Sequence, residues 1–147
     1  MKFRQLLSIV AVMICCAFIS NDPFSDKIKN ALETFYNRYP QEKVYLQLDK
    51  DYYASGENIW FKGYVTVQNR PTFLSGNLYV ELLDSSGNLI TRDMLPVMQG
   101  GAPGSFALPQ DFHSGEYRIR AYTAWMLNFD PGYLFYKDIH VYNAQDK

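Results

Sequence analysis

Val44, Leu46 and Leu48 fall on one side of an extended chain and Tyr45 and Gln47 on the other. After a polar break, Ile59, Phe61, Val65 and Val67 oppose Trp60, Lys62, Tyr64 and Thr66. Alternation with period two marks a strand with one buried face, so residues 42–67 predict two strands joined by a turn. Asp49-Lys50-Asp51 and Ala54-Ser55-Gly56-Glu57 bracket Tyr52-Tyr53 with turn-forming residues, and Gly56 is free to take a positive φ. Gly63 lands on the inward face, where a missing side chain admits a bulge or a crossing aromatic ring.

The same pattern continues downstream. Leu78, Val80 and Leu82 alternate with Tyr79 and Glu81, and Asp84-Ser85-Ser86-Gly87-Asn88 turns the chain into a partner strand over 89–97. The tetrad Ser-Gly-Asn-Leu at 75–78 and again at 86–89 is one turn-to-strand solution used twice rather than a repeat architecture. Pro96 and the run from Gln99 to Gly104 break the pattern before a short strand over 105–108 that stops at Pro109. In the strand over 116–123, Tyr117, Ile119 and Ala121 oppose Arg118, Arg120 and Tyr122. Tyr117, just after Ser114-Gly115, is placed to bury its ring and return its hydroxyl to nearby backbone as a tyrosine corner. A last strand covers 133–142. Seven short strands with Gly/Pro turns and no helix between them predict an all-β fold, a seven-stranded antiparallel immunoglobulin-like sandwich. The lack of helical crossovers argues against parallel pairing.

Upstream the period changes. Phe24, Ile28, Leu32, Phe35 and Tyr39 recur at helical spacing between Asp22 and Pro40, which predicts one short N-terminal helix with a single apolar face. Lys2 and Arg4 precede an apolar run from Leu6 to Ile19 and then polar Asn21-Asp22-Pro23, the layout of a signal peptide. The domain division is therefore a signal over 1–20, a helix and linker over 21–41, and the sandwich over 42–143. Export to the periplasm, outer membrane or cell surface is the consequence. The alternatives, which confine any membrane contact to the N-terminus, are an uncleaved anchor and lipid attachment at Cys15 or Cys16, against which Val12-Met13-Ile14 supplies no small residue. Removal of this segment leaves no thiol, which excludes disulfides, Cys-ligated zinc and a cysteine nucleophile.

A net charge of −1 and dispersed Lys and Arg give no footprint for nucleic acid. Asp49, Asp51 and Glu57 flank one turn, but three carboxylates at this spacing match no calcium loop. His113 and His140 are far apart, and Gly104-Ser105-Phe106 lacks the rest of a nucleophile elbow. No catalytic residue, metal ligand or cofactor is assigned, and an enzyme is not expected. Aromatic residues make up 16% of the chain, and they supply the candidate interaction surface instead. Trp125, Met126, Phe129, Tyr133 and Phe135 cluster around one connection, either as an interface or as a cap on the core, and Trp60 and Tyr64 project outward from the second strand.

Several segments together resemble a family: Glu42-Lys43-Val44-Tyr45-Leu46, Tyr53-Ala54-Ser55-Gly56-Glu57, Ile59-Trp60-Phe61-Lys62, Gly101 to Pro109, and Gly115 to Met126. In this order they are similar to the second macroglobulin-like domain of alpha-2-macroglobulin-type proteins, in the form found in envelope proteins of Bacteroidetes. The resemblance runs from about Glu42 to Tyr142. It implies a fibronectin-like sandwich, exported, acting as a non-catalytic spacer or docking unit within a larger array, with an envelope protein or neighbouring domain as partner. The sequence holds one such domain and no Cys-Gly-Glu-Gln thioester segment, so covalent protease capture is not implied. The alternative function is a carbohydrate-binding module that stacks a glycan on Trp125, Tyr133 and Trp60.

Overall fold

The computed structural model describes residues 23–146 and divides into two units, one ending at Pro40 and the other beginning at Gln41. The predicted signal peptide, with Cys15 and Cys16, lies outside the described residues.

In the first unit a single helix, α1, spans Pro23–Arg38. Proline is tolerated in a first turn, where its missing N–H has no partner to lose. Asp26 near the start and Arg38 at the end oppose the helix dipole. Phe35 rings against Tyr36 and Tyr39 at centroid distances of 6.0 and 5.3 Å, and Pro40 pushes the residue before it out of helical geometry.

The second unit is a β-sandwich of nine strands: β1 Glu42–Leu48, β2 Tyr52–Ala54, β3 Asn58–Val67, β4 Arg70–Pro71, β5 Asn77–Leu83, β6 Leu89–Pro96, β7 Gly101–Ala107, β8 Gly115–Tyr122 and β9 Phe135–Tyr142. In the four-stranded sheet, β3 pairs with β1 on one side and with β7 and the short β4 on the other. The five-stranded sheet runs β2-β9-β8-β5-β6.

Two expectations require correction. The strand count is nine rather than seven. Both additions are too short to show alternation: β2 lies inside what reads as turn chemistry, and β4 follows a two-residue turn in which Gln68 and Asn69 take φ of 50° and 62°. The sandwich is also not wholly antiparallel, because β2 pairs parallel to β9, Tyr53 opposite Val141. Since nearly the whole domain separates these strands in sequence, the pairing needs no helical crossover.

The alternating apolar residues meet between the sheets. Val44, Leu46, Ile59, Phe61, Val65 and Phe106 come from one side, and Tyr53, Leu78, Val80, Leu82, Ile119 and Ile139 from the other. Burying each Leu, Ile, Val or Phe contributes about 1.5–3 kcal/mol. Glycine sets how closely the sheets approach. A methyl group at Gly63 would overlap the Leu78 side chain and press on Leu46 at 3.2 Å, so the residue that crosses here is a leucine, without a bulge and without an aromatic ring. At Gly104 a methyl would meet Leu95 and the Phe61 ring.

Two tyrosines fasten loops to strand ends. The Tyr117 hydroxyl donates to the His113 carbonyl at 2.9 Å, as a tyrosine corner does. The buried Tyr53 hydroxyl donates to Asp49 Oδ1 at 2.7 Å, and burial followed by this carboxylate contact pushes its pKa up.

Gly63→Ala is expected to cost about 1–3 kcal/mol through overpacking. Gly76→Ala, where a methyl meets nothing within 4 Å, should stay within about 0.5 kcal/mol of the parent. Urea midpoints of the two variants check both values.

Candidate interaction face

Because β3 alternates, the strand that sends Ile59, Phe61 and Val65 into the core sends Trp60, Lys62 and Tyr64 outward. The register sets their neighbours. On the β1 side Tyr45 stands opposite Tyr64 and Gln47 opposite Lys62. On the β7 side Ser105 stands opposite Trp60, Pro103 opposite Lys62 and Gly101 opposite Tyr64. A ridge of large side chains thus runs beside a shelf of small ones.

The ridge is ordered by ring contacts. Tyr45 and Tyr64 stack with centroids 6.5 Å apart, and Phe135 meets Tyr45 edge-on at 5.9 Å. Lys62 Nζ lies 5.3 Å from the centre of the Tyr64 ring, within cation–π range. Trp60 is 57% exposed and Tyr45 60% exposed, large values for rings of this size. Beyond the shelf, Met98, Gln99, Gly100 and Pro71 close one end of a shallow groove whose other wall is Lys62, Tyr64 and Thr66. Gln99 and Gly100, with φ of 52° and 77°, make the tight turn that allows this, and the Gly100 carbonyl accepts the Val65 N–H at 2.8 Å. A side chain at Gly100 would meet Pro71.

The aromatic connection after β8 behaves differently. Residues Trp125–Asn128 form a 3-10 turn, and Met126 is fully buried in the core. Its place on a predicted interaction surface is thereby corrected. Thr123 is the reason: its carbonyl and its hydroxyl both accept the Met126 N–H, while the hydroxyl donates to Glu42 Oε2, which also accepts from Ser75. The turn is tied under the sandwich, and its second residue has nowhere to go but inward. Trp125 and Phe129 are half-buried and meet edge-on at 6.0 Å, which fits the capping reading for this pair. Tyr133, in the following turn Pro131–Tyr133, is exposed. Phe135 belongs with the ridge through Tyr45. The sequence reading missed Tyr45, although it alternates outward on the strand paired with β3, and the signal lay in that hairpin register.

The outer face of the five-stranded sheet is polar and internally matched. Glu81 on β5 is completely buried there, flanked by Arg92 on β6 and Arg120 on β8. It accepts from Arg92 Nε at 2.7 Å, Arg120 Nε at 2.5 Å and the Tyr122 hydroxyl at 2.8 Å. Burial alone would raise the Glu81 pKa, but the hydrogen bonds from Tyr122, Arg92 and Arg120 outweigh it and hold the carboxyl below its usual range. Arg118 grips Asp138 with two bonds of 2.6 and 3.1 Å, Lys137 pairs with Asp51, and His140 stacks on Tyr52 at 5.3 Å.

The acids considered for calcium also have separate partners. Asp49 accepts from Tyr53 and from the Trp60 N–H, Asp51 pairs with Lys137, and Glu57 accepts from Lys50 and the Ala54 N–H. Among the described residues no group of three or more His, Cys, Asp or Glu is placed to hold a metal ion. His113 lies near Asp146, and Ser105 sits in the shelf opposite Trp60.

Two packed sheets with this alternation and a tyrosine corner define an immunoglobulin-like β-sandwich. The family model for the MG2 domain matches residues 43–141, and the chain belongs to that family. Solved structures agree on the fold. Salmonella alpha-2-macroglobulin is similar with a TM-score of 0.59 at 17% identity over 74% of this chain and 7% of that one. The native conformation of Escherichia coli alpha-2-macroglobulin gives 0.59 at 16% over 74% and 6%, and the trypsin-activated form 0.57 at 16% over 70% and 7%. The chain therefore spans less than a tenth of the length of these relatives. A search of curated proteins finds no match.

Two outcomes follow for stability. Met126→Ala should cost about 2–5 kcal/mol, whereas Trp60→Ala should change stability by no more than about 0.5 kcal/mol, as read from thermal unfolding. Glu81 has a folded pKa below its ordinary value near 4.5, so it stabilises the fold above that pH and the contribution is lost as pH falls through the lower folded value. Acid titration of unfolding should show Glu81→Gln less stable by about 1–3 kcal/mol at pH 7, with the gap closing as the pH falls through the lowered folded value.

Proposed function

We propose that this chain supplies a non-catalytic, exported interaction module of the bacterial cell envelope, one unit of a larger alpha-2-macroglobulin-like protein. Membership of the MG2 family supports the modular reading, and so does the small fraction of the solved relatives that the chain spans. The basic, apolar, polar order of the first residues supports export. Among the described residues no helix is long and apolar enough to cross a membrane; the N-terminal segment offers two candidate means of attachment, an uncleaved anchor or a lipid on Cys15 or Cys16. The form found in Bacteroidetes envelope proteins fits the same motifs.

The observation that carries the reading is the ridge of exposed Trp60 and Tyr45 and half-buried Tyr64 on the outer face of the four-stranded sheet, beside Asp49 and Asp51, which are engaged by Tyr53 and Lys137. Exposed aromatic side chains held on a rigid element are the usual anchors of a protein interface. The glycan alternative is weakened because Trp125, one of its three stacking residues, is half-buried against Phe129.

Fusion of a phosphatase that is active only outside the cytoplasm should give active enzyme in the envelope fraction, and loss of residues 1–20 should abolish it. Residue-specific photo-cross-linking from position 60 in intact cells should capture protein. Cross-links confined to glycan, together with glycan-array binding lost in Trp60→Ala, would overturn the reading.

A further inference from the structure

Over residues 41–146 there are twelve Asp and Glu against eight Lys and Arg. The acids are unevenly distributed. On the outward positions of β1 (43, 45, 47), β3 (58, 60, 62, 64, 66) and β7 (101, 103, 105, 107) there are two lysines, Lys43 and Lys62, and no carboxylate. The other sheet pairs its outer charges at home: Glu81 with two arginines, Arg118 with Asp138, Lys137 with Asp51. Among the described residues neither Lys43 nor Lys62 makes an ion pair, and the Lys62 ammonium rests over the Tyr64 ring. The outward strand positions of this aromatic face thus carry cations without carboxylates, and Asp49, the acid that borders the face beside Trp60, is engaged by the Tyr53 hydroxyl and the Trp60 N–H.

The shape of that face narrows the partner. Trp60, Lys62 and Tyr64 project at alternate positions of one strand, about 6.8 Å apart. An extended peptide laid along β3 presents its own alternate side chains at the same interval. The shelf of Gly101, Pro103, Ser105 and Ala107 beside the ridge leaves room for a backbone to approach, and Met98 and Pro71 close the groove at one end. A central acid on such a peptide would meet Lys62, with apolar neighbours two residues either side lying on Trp60 and Tyr64.

We infer that the outer face of the β1-β3-β7 sheet docks an extended acidic polypeptide segment of the form apolar-x-Asp/Glu-x-apolar, read by Trp60, Lys62 and Tyr64 with Lys43 adding charge. The inference rests on the interaction-module reading and adds the chemistry of the partner.

Selection of random 12-residue peptides displayed on phage, against the immobilised full chain, tests it. The selected peptides are expected to show Asp or Glu flanked at ±2 by apolar residues and to bind more weakly as salt rises. Lys62→Glu, at an exposed position, should melt at the same temperature as the parent, weaken those peptides about tenfold or more, and select Lys or Arg at the central position. Selection of no motif, of a motif that ignores the charge reversal, or binding of heparin or neutral oligosaccharides in place of peptides overturns the inference. If photo-cross-links from position 60 to envelope protein persist when the selected motif lacks acids, the module reading stands and the partner chemistry falls. Loss of both removes the two together.

Discussion

How closely the two sheets can approach is limited at Gly63, in the middle of the central strand of the four-stranded sheet. The Leu78 side chain occupies the space a Cβ would need there, and Leu46 closes the same gap from β1. Close approach brings Val65, Ile59, Val80 and Leu82 into one core cluster, and packing of this kind resists displacement of β3 through its inward side chains. Rigidity on one face is then available on the other. Because a strand turns successive side chains to opposite faces, fixing Ile59, Phe61 and Val65 in the core also fixes Trp60, Lys62 and Tyr64 toward solvent. The packing constraint and the proposed recognition surface are the two sides of one strand.

The sheets differ in what they do with outward polar groups. In the five-stranded sheet Glu81 is buried beneath Arg92, Arg120 and Tyr122, which tie β6, β5 and β8 across their outer surface. A buried carboxylate of this kind is costly unless its bonds are made, and here Arg92, Arg120 and Tyr122 make them across three strands. Arg118 with Asp138 and His140 with Tyr52 complete a surface matched to itself. The four-stranded sheet makes no such closure. Lys62 rests over the Tyr64 ring, neither it nor Lys43 makes an ion pair among the described residues, and the edge residues Gly101, Pro103 and Ser105 are small.

Much of this was legible in the sequence, for stated reasons. Period-two alternation located β1, β3, β5 and β8 and the outward direction of Trp60 and Tyr64, and the Gly-then-Tyr pattern at 115–117 located the corner at Tyr117. What escaped notice lacks a local signal. The parallel pairing of β2 with β9 and the bonds from Glu42 to Ser75 and Thr123 join residues far apart in the chain. Met126 groups in sequence with its aromatic neighbours as a candidate interaction residue, with a core cap as the alternative for the connection. Only the contact between Thr123 and Glu42 shows that its turn is pulled inward. Tyr45 needed the register of β1 on β3, which alternation alone does not give.

The central claim is that this module meets its partner with the face of β3 and β1 and not with the outer face of the five-stranded sheet. Hydroxyl-radical footprinting of the full chain in intact cells, compared with the purified chain, reads both faces in one experiment. The account predicts that Trp60, Tyr45, Tyr64 and Met98 are oxidised more slowly in cells, while exposed Met94, Tyr136 and Tyr142 of the other sheet are labelled equally in both. Protection of Met94, Tyr136 and Tyr142, with Trp60 and Tyr45 labelled as in the purified chain, would contradict it.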